Sequence, residues 1–376
     1  MNIANMNIAG LDGGVIIKKG GGGGVAINNQ QKSLEITENG TTEVTADAGF
    51  TGLGKVIVNT NVASSGGGGG SDMPVIGDGK TYLYITIAAE GRMNVSPYFS
   101  QTKANGVTID WGDGSAPETL SGTGNLFITH KYAAIGDYVI SLDPVDGCTL
   151  GLGHGMPSYC VMGYISDYTR VYSNMLQAVE IGRNVPSIGS YAFHDCYSLA
   201  SVVIPNSVSN IGNGAFQSCY SLASVVIPSS VTSIGENVFN VCHSLASVVI
   251  PNSVSSINGS MFRDCHSLTS VVIPNSVSNI GSGAFRDCRS LASVVIPNSV
   301  SSINGSAFYN CYGMAFSDFS DHTSVPSLGS SAFSSIPSDC KIIVPDALYD
   351  TWIAATNWST YASKIIKKSD WDASQS

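Results

Sequence analysis

The chain has 376 residues, of which 43% are hydrophobic and only 12% are charged. It has enough apolar residues for packed cores and lacks the charge excess of a disordered protein. Its net charge is −10, from 17 basic and 27 acidic residues. We therefore exclude binding of nucleic acid through a basic surface. No apolar run is long enough for a membrane-spanning helix, so we predict no membrane segment.

The N-terminal part is divided by two glycine runs, at residues 20–24 and 66–70, which predict flexible connections. Lys18 and Lys19 follow the apolar stretch of the N-terminus, whereas a secretory signal has its basic residues in front of that stretch. We divide this part into an N-terminal anchoring segment (residues 1–24), a small β module (25–63) and a glycine-rich linker (64–74).

The small β module has strand-like runs around Ile36 and Val44 and at residues 56–58. Its residues 36–41, 44–45, 49–50, 52–53 and 56–59 resemble a short module of phage and prophage structural proteins. The resemblance implies a virion protein whose N-terminal segment is held by other capsid or tail proteins.

Residues 75–150 contain strand-like runs at 82–88, 106–110, 125–129 and 138–142, separated by turn residues. This spacing predicts a β-sandwich. The stretch IDWGDGS at 109–115, followed by HKY at 130–132 and GDYVI at 136–140, resembles the PKD-type immunoglobulin-like fold. Most members of that fold are spacers or adhesion modules, and in some an Asp-rich turn holds calcium.

Asp110 and Asp113 are the calcium candidates in this turn, because hard cations prefer carboxylate and carbonyl oxygens. The alternative is that Asp113-Gly114 makes a tight hairpin turn without a metal. We favour the alternative and predict no metal site.

From Ile188 onward the sequence repeats with a period of 23 and a unit close to SIGxxAFxxCxSLASVVIPNSVS. Leu199, Val202 and Ile204 show the spacing L-x-x-L-x-L of a leucine-rich repeat strand. Stacked units would bury their apolar positions in one core and form a parallel sheet. The repeated columns are Ile188, Ile211, Ile234, Ile257, Ile280 and Ile303; Phe193, Phe216, Phe239, Phe262, Phe285 and Phe308; and Cys196, Cys219, Cys242, Cys265, Cys288 and Cys311.

The unit resembles the BspA-like leucine-rich repeat family over residues 179–345. The resemblance implies binding to cells, matrix or glycans, which is the common theme of that family. A connector (151–178) precedes the repeats, and a helical cap (346–376) with Trp352, Trp358 and Tyr361 is predicted to cover their end. The fold class is thus mainly β and modular, with a small β module, a sandwich and a leucine-rich repeat solenoid with short helical turns.

Two surfaces of the repeats are candidates for binding. Positions that differ between copies are not needed for stacking, and a row of aromatic and cationic side chains could hold sugar faces or a protein loop. Neutral drift on a solvated edge would give the same variation. These positions are Tyr197, Tyr220, His243, His266, Arg289 and Tyr312, with Arg263 and Arg286. The second surface is a predicted outward row of apolar side chains, suited to a partner or to self-association: Val203, Val226, Val249, Val272 and Val295.

The nine cysteines contain no close pair of the kind that binds zinc, and we expect those of the repeats to be small buried side chains. No constellation of catalytic residues is present, so we predict neither an enzyme nor a cofactor.

We predict a phage virion protein, a fibre or decoration protein, that presents its repeats to a glycan or protein of the host surface. It is expected to be a homo-oligomer. The alternative is a bacterial cell-surface adhesin.

Overall fold

The structure is a computed structural model. It describes residues 78–90, 93–153, 159–164 and 174–375, and, before these, four strands between residues 15 and 60. The predicted glycine-rich linker at 64–74 lies outside the described residues, as does the start of the predicted anchoring segment at 1–14. In the described part of the chain, no helix has the length and apolar character that crossing a bilayer requires.

The four N-terminal strands form an antiparallel sheet in the order β2-β1-β3-β4. β1 pairs with both β2 and β3, although it belongs to the predicted anchoring segment. The division drawn between residues 24 and 25 therefore runs through one sheet. The strands are β1 (Val15–Lys19), β2 (Gly24–Ile27), β3 (Gly40–Ala46) and β4 (Val56–Thr60).

Eleven short strands follow between residues 81 and 164. Leu83 and Ile140 of one sheet and Phe99 and Leu150 of another are fully buried in the same core. The strand-like runs found in the sequence correspond to β5, β8, β10 and β12. The strands are β5 (Thr81–Ile87), β6 (Asn94–Val95), β7 (Tyr98–Gln101), β8 (Val107–Asp110), β9 (Glu118–Thr119), β10 (Gly124–Phe127), β11 (His130–Lys131), β12 (Gly136–Pro144), β13 (Leu150–Leu152), β14 (Tyr159–Cys160) and β15 (Gly163–Tyr164).

The repeats form a solenoid in which each coil contributes one longer strand, of the sequence Ser-Val-Val in five coils, and most coils add a two-residue strand. Equivalent strands of successive coils pair in parallel, one repeat apart along the chain, as in Ser187↔Asn210 and Val225↔Val248. Strands β16 to β30 are Leu176–Glu180, Ser187–Ile188, Ser201–Val203, Asn210–Ile211, Ser224–Val226, Ser233–Ile234, Ser247–Val249, Ser256–Ile257, Ser270–Val272, Asn279–Ile280, Ser293–Val295, Ser302–Ile303, Phe316–Asp318, Ser327–Leu328 and Lys341–Val344.

Within the coils, non-helical turns occur at the positions where short helical turns were predicted. Between the isoleucine and cysteine columns, each coil has two residues with positive φ, such as Tyr191 and Asp195 in the first full coil. A right-handed helix cannot continue through such residues. The expected helical turns are therefore replaced by turns.

Stacked phenyl rings run through the interior of the solenoid. From Phe193 to Phe333, each ring lies 5.0–5.7 Å from the next with nearly parallel planes. The cysteines are buried, as predicted, and they also act as donors: Cys265 Sγ donates to the carbonyl of Phe239 at 3.1 Å. Burial raises the pKa of Cys242 to about 12, so this thiol is protonated and unreactive.

The part of the chain predicted to be a sandwich shares its sheets with the solenoid. β5 pairs with β16, which pairs with the repeat strand β18, and β13 joins β7 to the repeat strand β17. Two six-stranded sheets, β18-β16-β5-β12-β8-β9 and β10-β7-β13-β17-β19-β21, thus cross the junction. The predicted connector at 151–178 contributes part of β13 and the start of β16, so these described residues belong to the two shared sheets.

The other end of the solenoid is closed by its own C-terminal residues. Trp352 and Trp358 are fully buried and contact Phe319, and Trp358 Nε1 donates to the carbonyl of Pro326 at 2.8 Å. The cap also contains a strand, which adds in parallel to β30. Its elements are a 3₁₀ turn (Asp346–Leu348), α1 (Tyr349–Ala354), a second 3₁₀ turn (Trp358–Lys364), β31 (Ile365–Lys367) and α2 (Lys368–Gln375).

The residue before each cysteine of the repeats has a left-handed backbone conformation. In most coils this residue is Asp, Asn or Ser, which tolerate that conformation, but in one coil it is Val241 at φ 62°. A β-branched side chain is strained there.

We predict that Val241→Asn raises the free energy of unfolding by about 1 kcal/mol, measured by urea denaturation. Placing a valine at the exposed equivalent position of another coil, with Ser335→Val, should lower the free energy of unfolding. Equal stability of the wild type and the two variants would contradict the claim that valine is strained in this conformation.

Candidate functional site

The variable column beside the cysteines forms a continuous stack of rings over four coils. Tyr197, Tyr220, His243 and His266 follow one another at centroid distances of 4.4, 4.9 and 4.7 Å, with planes within 17° of parallel. All four side chains are half-buried. We call these four residues the ring stack.

The ring stack is poorly arranged for the sugar binding that the sequence suggested. A pyranose packs against the face of an aromatic ring, but within the stack each face is covered by the neighbouring ring. The faces between neighbouring rings are therefore closed to a ligand. The stack is better suited to hold adjacent coils in register than to bind a glycan.

The cationic positions of this edge are also engaged within the protein. Arg263 Nε lies 3.3 Å from Asp264, and Arg286 Nε lies 3.2 Å from Asp287. Arg286 also lies over the ring of Tyr309, at 4.9 Å from its centroid. Arg289 and Tyr312 continue the column after the ring stack and are exposed. Of the predicted column residues, these two are the most accessible to a partner.

The valine row lies on the outward side of the Ser-Val-Val strands, where the repeat pattern places it. Val226, Val249 and Val295 are 62%, 51% and 39% exposed, while Val203 and Val272 are half-buried. The other outward residue of each of these strands is a serine. The strands from β18 to β26 therefore present an uncharged face with a regular apolar row.

Both ends of the valine row meet a carboxylate. Glu180 is in register with Val203, and Asp318 is in register with Val295. Glu180 is 3% exposed, its Oε2 has no hydrogen-bond partner, and burial together with Asp78 raises its pKa to about 7. Glu180 could not be singled out from the sequence, because its burial depends on the pairing of β16 with the distant strand β5.

The Asp-rich turn uses its carboxylates internally. Asp113 Oδ1 accepts hydrogen bonds from Ser115 N and Oγ, at 3.0 and 2.6 Å, and His130 Nε2 lies 2.7 Å from Asp113 Oδ2. These bonds, led by that from Ser115, lower the pKa of Asp113 to about 2. Asp110 accepts from Gly112 N at 2.9 Å. Calcium would have to displace these partners, and among the described residues no three metal-ligating side chains converge.

The ring stack makes the stability of the solenoid depend on pH. Burial, and then the charges of His266 and Arg289, lower the pKa of His243, while Asp264 opposes them. His243 therefore binds a proton more weakly in the folded chain than in the unfolded chain. As a result, the free energy of unfolding falls as the pH drops below the ordinary histidine pKa of about 6.5.

We predict that His243→Tyr, which repeats the residue found at positions 197 and 220, loses less stability than the wild type between about pH 7.5 and 5.5. Urea denaturation at both pH values measures the difference. The same pH dependence in the two chains would show that the imidazole is not the group responsible.

Comparison with known families identifies the repeats. A family model described as the BspA type leucine-rich repeat region matches in six copies, over residues 163–292 and 256–357, which together are more than half of the chain. Comparison with the curated proteins finds no match.

Several solved bacterial structures are similar to part of this chain. A leucine-rich repeat protein of T. pallidum is 31% identical, with a TM-score of 0.42, over 51% of this chain and 84% of that chain. A leucine-rich repeat protein of Bacteroides ovatus is 24% identical, with a TM-score of 0.41, over 51% of this chain and 54% of that chain. One of Eubacterium ventriosum is 27% identical, with a TM-score of 0.37, over 42% of each chain. This chain therefore spans only about half the length of the last two. With its repeats matched over most of their length, the chain belongs to the BspA-type leucine-rich repeat family.

Proposed function

We propose that this chain is a non-enzymatic adhesion protein that binds a protein surface through the valine row. The observation that carries the proposal is the exposure of Val226, Val249 and Val295 on a regular face without charged residues. Removing water from an exposed apolar row costs little free energy, and burying the row against an apolar partner is favourable.

The surrounding structure supports a binding face and not a catalytic one. The cysteines of the repeats are buried, with a raised pKa at Cys242, and the Arg263 and Arg286 side chains are paired with neighbouring carboxylates. The serines beside the valines can donate and accept hydrogen bonds at the rim of a contact. An oligomer would multiply such contacts, and we propose that the protein acts as one.

Two carriers are possible for such an adhesin, a virion and a bacterial surface. The resemblance of residues 36–59 to phage structural modules supports the virion, where the N-terminal segment would be held by capsid or tail proteins. Membership of the repeat family is compatible with both carriers. Mass spectrometry separates them: peptides of this chain in purified phage particles support the virion, and peptides confined to bacterial envelope fractions support the cell surface.

The valine row can be tested by placing charge on it. We predict that Val226→Lys with Val249→Lys lowers the binding of the labelled protein to bacterial or epithelial cells by tenfold or more, because buried unpaired ammonium groups are costly. Binding of the wild type should also be lost when the cells are treated with protease.

The matched control carries the same two charges on an exposed edge of the same coils, as Thr232→Lys with Ser255→Lys. It should bind like the wild type, and circular dichroism should show all three chains folded. Equal binding of the two double variants, or binding that survives protease treatment of the cells, would overturn the proposal.

A further inference from the structure

A row of polar side chains crosses the junction between the sandwich and the solenoid on the outward face of the second six-stranded sheet. Asn125 pairs with Ser100, which pairs with Gly151, and Ser187 pairs with Asn210. The parallel register of Leu152 with Ile188 brings Gly151 beside Ser187. The polar row, which we define as Asn125, Ser100, Gly151, Ser187, Asn210 and Ser233, therefore extends across all six strands.

The polar row differs from the same column in the later coils by its hydrogen bonds. In the later coils the side chains satisfy one another: Asn279 Nδ2 donates to Ser256 Oγ at 3.3 Å, and Ser302 Oγ donates to Asn279 Oδ1 at 2.6 Å. In the described part of the chain, the side chains of Asn125 and Ser187 take part in no such bond. Their donors and acceptors are available to a ligand.

A groove of about 430 Å³ opens on the polar row, within the size range of ligand sites. Gly151 keeps it open, because a Cβ there would lie 2.4 Å from Ser100 Oγ. The lining has no charged side chain and combines hydroxyl groups with apolar surface; it includes Ser100, Thr102, Thr123, Leu150, Pro186 and Ser187.

Two further residues lie near the polar row. Gln101, which also lines the groove, is 2% exposed, and its Nε2 donates to the carbonyls of Leu120 and Gly122 at 2.8 and 2.9 Å. Phe127 is 58% exposed and lies on the same face of β10 as Asn125, two positions along the strand and outside the groove lining, with its ring centroid 4.3 Å from that of Tyr98. An exposed aromatic ring thus lies beside the polar row.

The chemistry of the groove selects its ligand. An anionic or cationic ligand would find no opposite charge, and an apolar ligand would leave the hydroxyl groups of the lining without partners. The strands β7, β13, β17 and β19 each have neighbours on both sides, so an extended peptide cannot add to their edges. Neutral groups that accept and donate hydrogen bonds, beside an aromatic ring, match a neutral oligosaccharide.

We propose that this groove binds an extended neutral oligosaccharide lying along the polar row, across the junction of sandwich and solenoid. Neighbouring strands are about 4.8 Å apart, which is close to the length of one pyranose unit in an extended chain. Successive sugars would therefore meet successive side chains of the polar row. This site is separate from the valine row and does not depend on it.

The test uses the full chain and linear hexasaccharides of glucose, mannose, galactose and N-acetylglucosamine in turn, with binding measured by isothermal titration calorimetry. We expect at least one of them to bind, and Asn125→Ala with Ser187→Ala to weaken it about tenfold, which corresponds to about 1.4 kcal/mol. Phe127→Ala should weaken the same ligand.

Two controls show whether the effect belongs to the groove. Ser302→Ala, in the same column but outside the groove, should leave sugar binding unchanged, and so should Val226→Lys with Val249→Lys. Absence of binding to all four hexasaccharides would overturn the proposal. So would equal binding by the Asn125/Ser187 variant, or binding only of a sulfated or uronic acid hexasaccharide or of a peptide.

Discussion

The parallel stacking of equivalent residues from coil to coil is the constraint on which this structure depends. The constant register brings each phenylalanine over the next at 5.0–5.7 Å, and in five coils it also places the cysteine Sγ at the carbonyl of a phenylalanine in the preceding coil. One geometry thus satisfies the apolar core, the thiol donors and the backbone ladders together. Any outward feature of a coil is then repeated in a straight row, which is how isolated serines and valines become extended surfaces.

Stacking leaves two open ends, and the chain closes them in different ways. At the start, β16 and β17 pair with strands of the predicted sandwich, and Gly182 N donates to Thr81 Oγ1 at 2.9 Å. At the finish, Trp352 and Trp358 fill the space beyond the last phenylalanine, and β31 pairs with β30. At the first end, the shared sheets carry one face from the predicted sandwich to the solenoid without a break, and the proposed groove lies on that face.

The repeated part of this fold could be predicted from the sequence because its contacts recur at one spacing. The period alone identified the buried columns and the outward position of Val226 and Val249. The junction could not be predicted, since the pairing of β5 with β16 joins strands that are far apart in the sequence and occurs once. For the same reason the burial of Glu180 and the open position at Gly151 were not foreseen. The ring stack was found as a column, but only its geometry shows that the ring faces are already covered.

The near-identity of the coils has a consequence for how such a chain changes over generations. Because successive units are almost the same at the level of sequence, in-frame recombination between them can add or remove one whole unit while both end structures stay intact. Each event would lengthen or shorten the valine row by one strand spacing, about 4.8 Å, and leave the junction groove unaltered. The length of the valine row can therefore vary between strains, while the residues that line the junction groove are inherited unchanged.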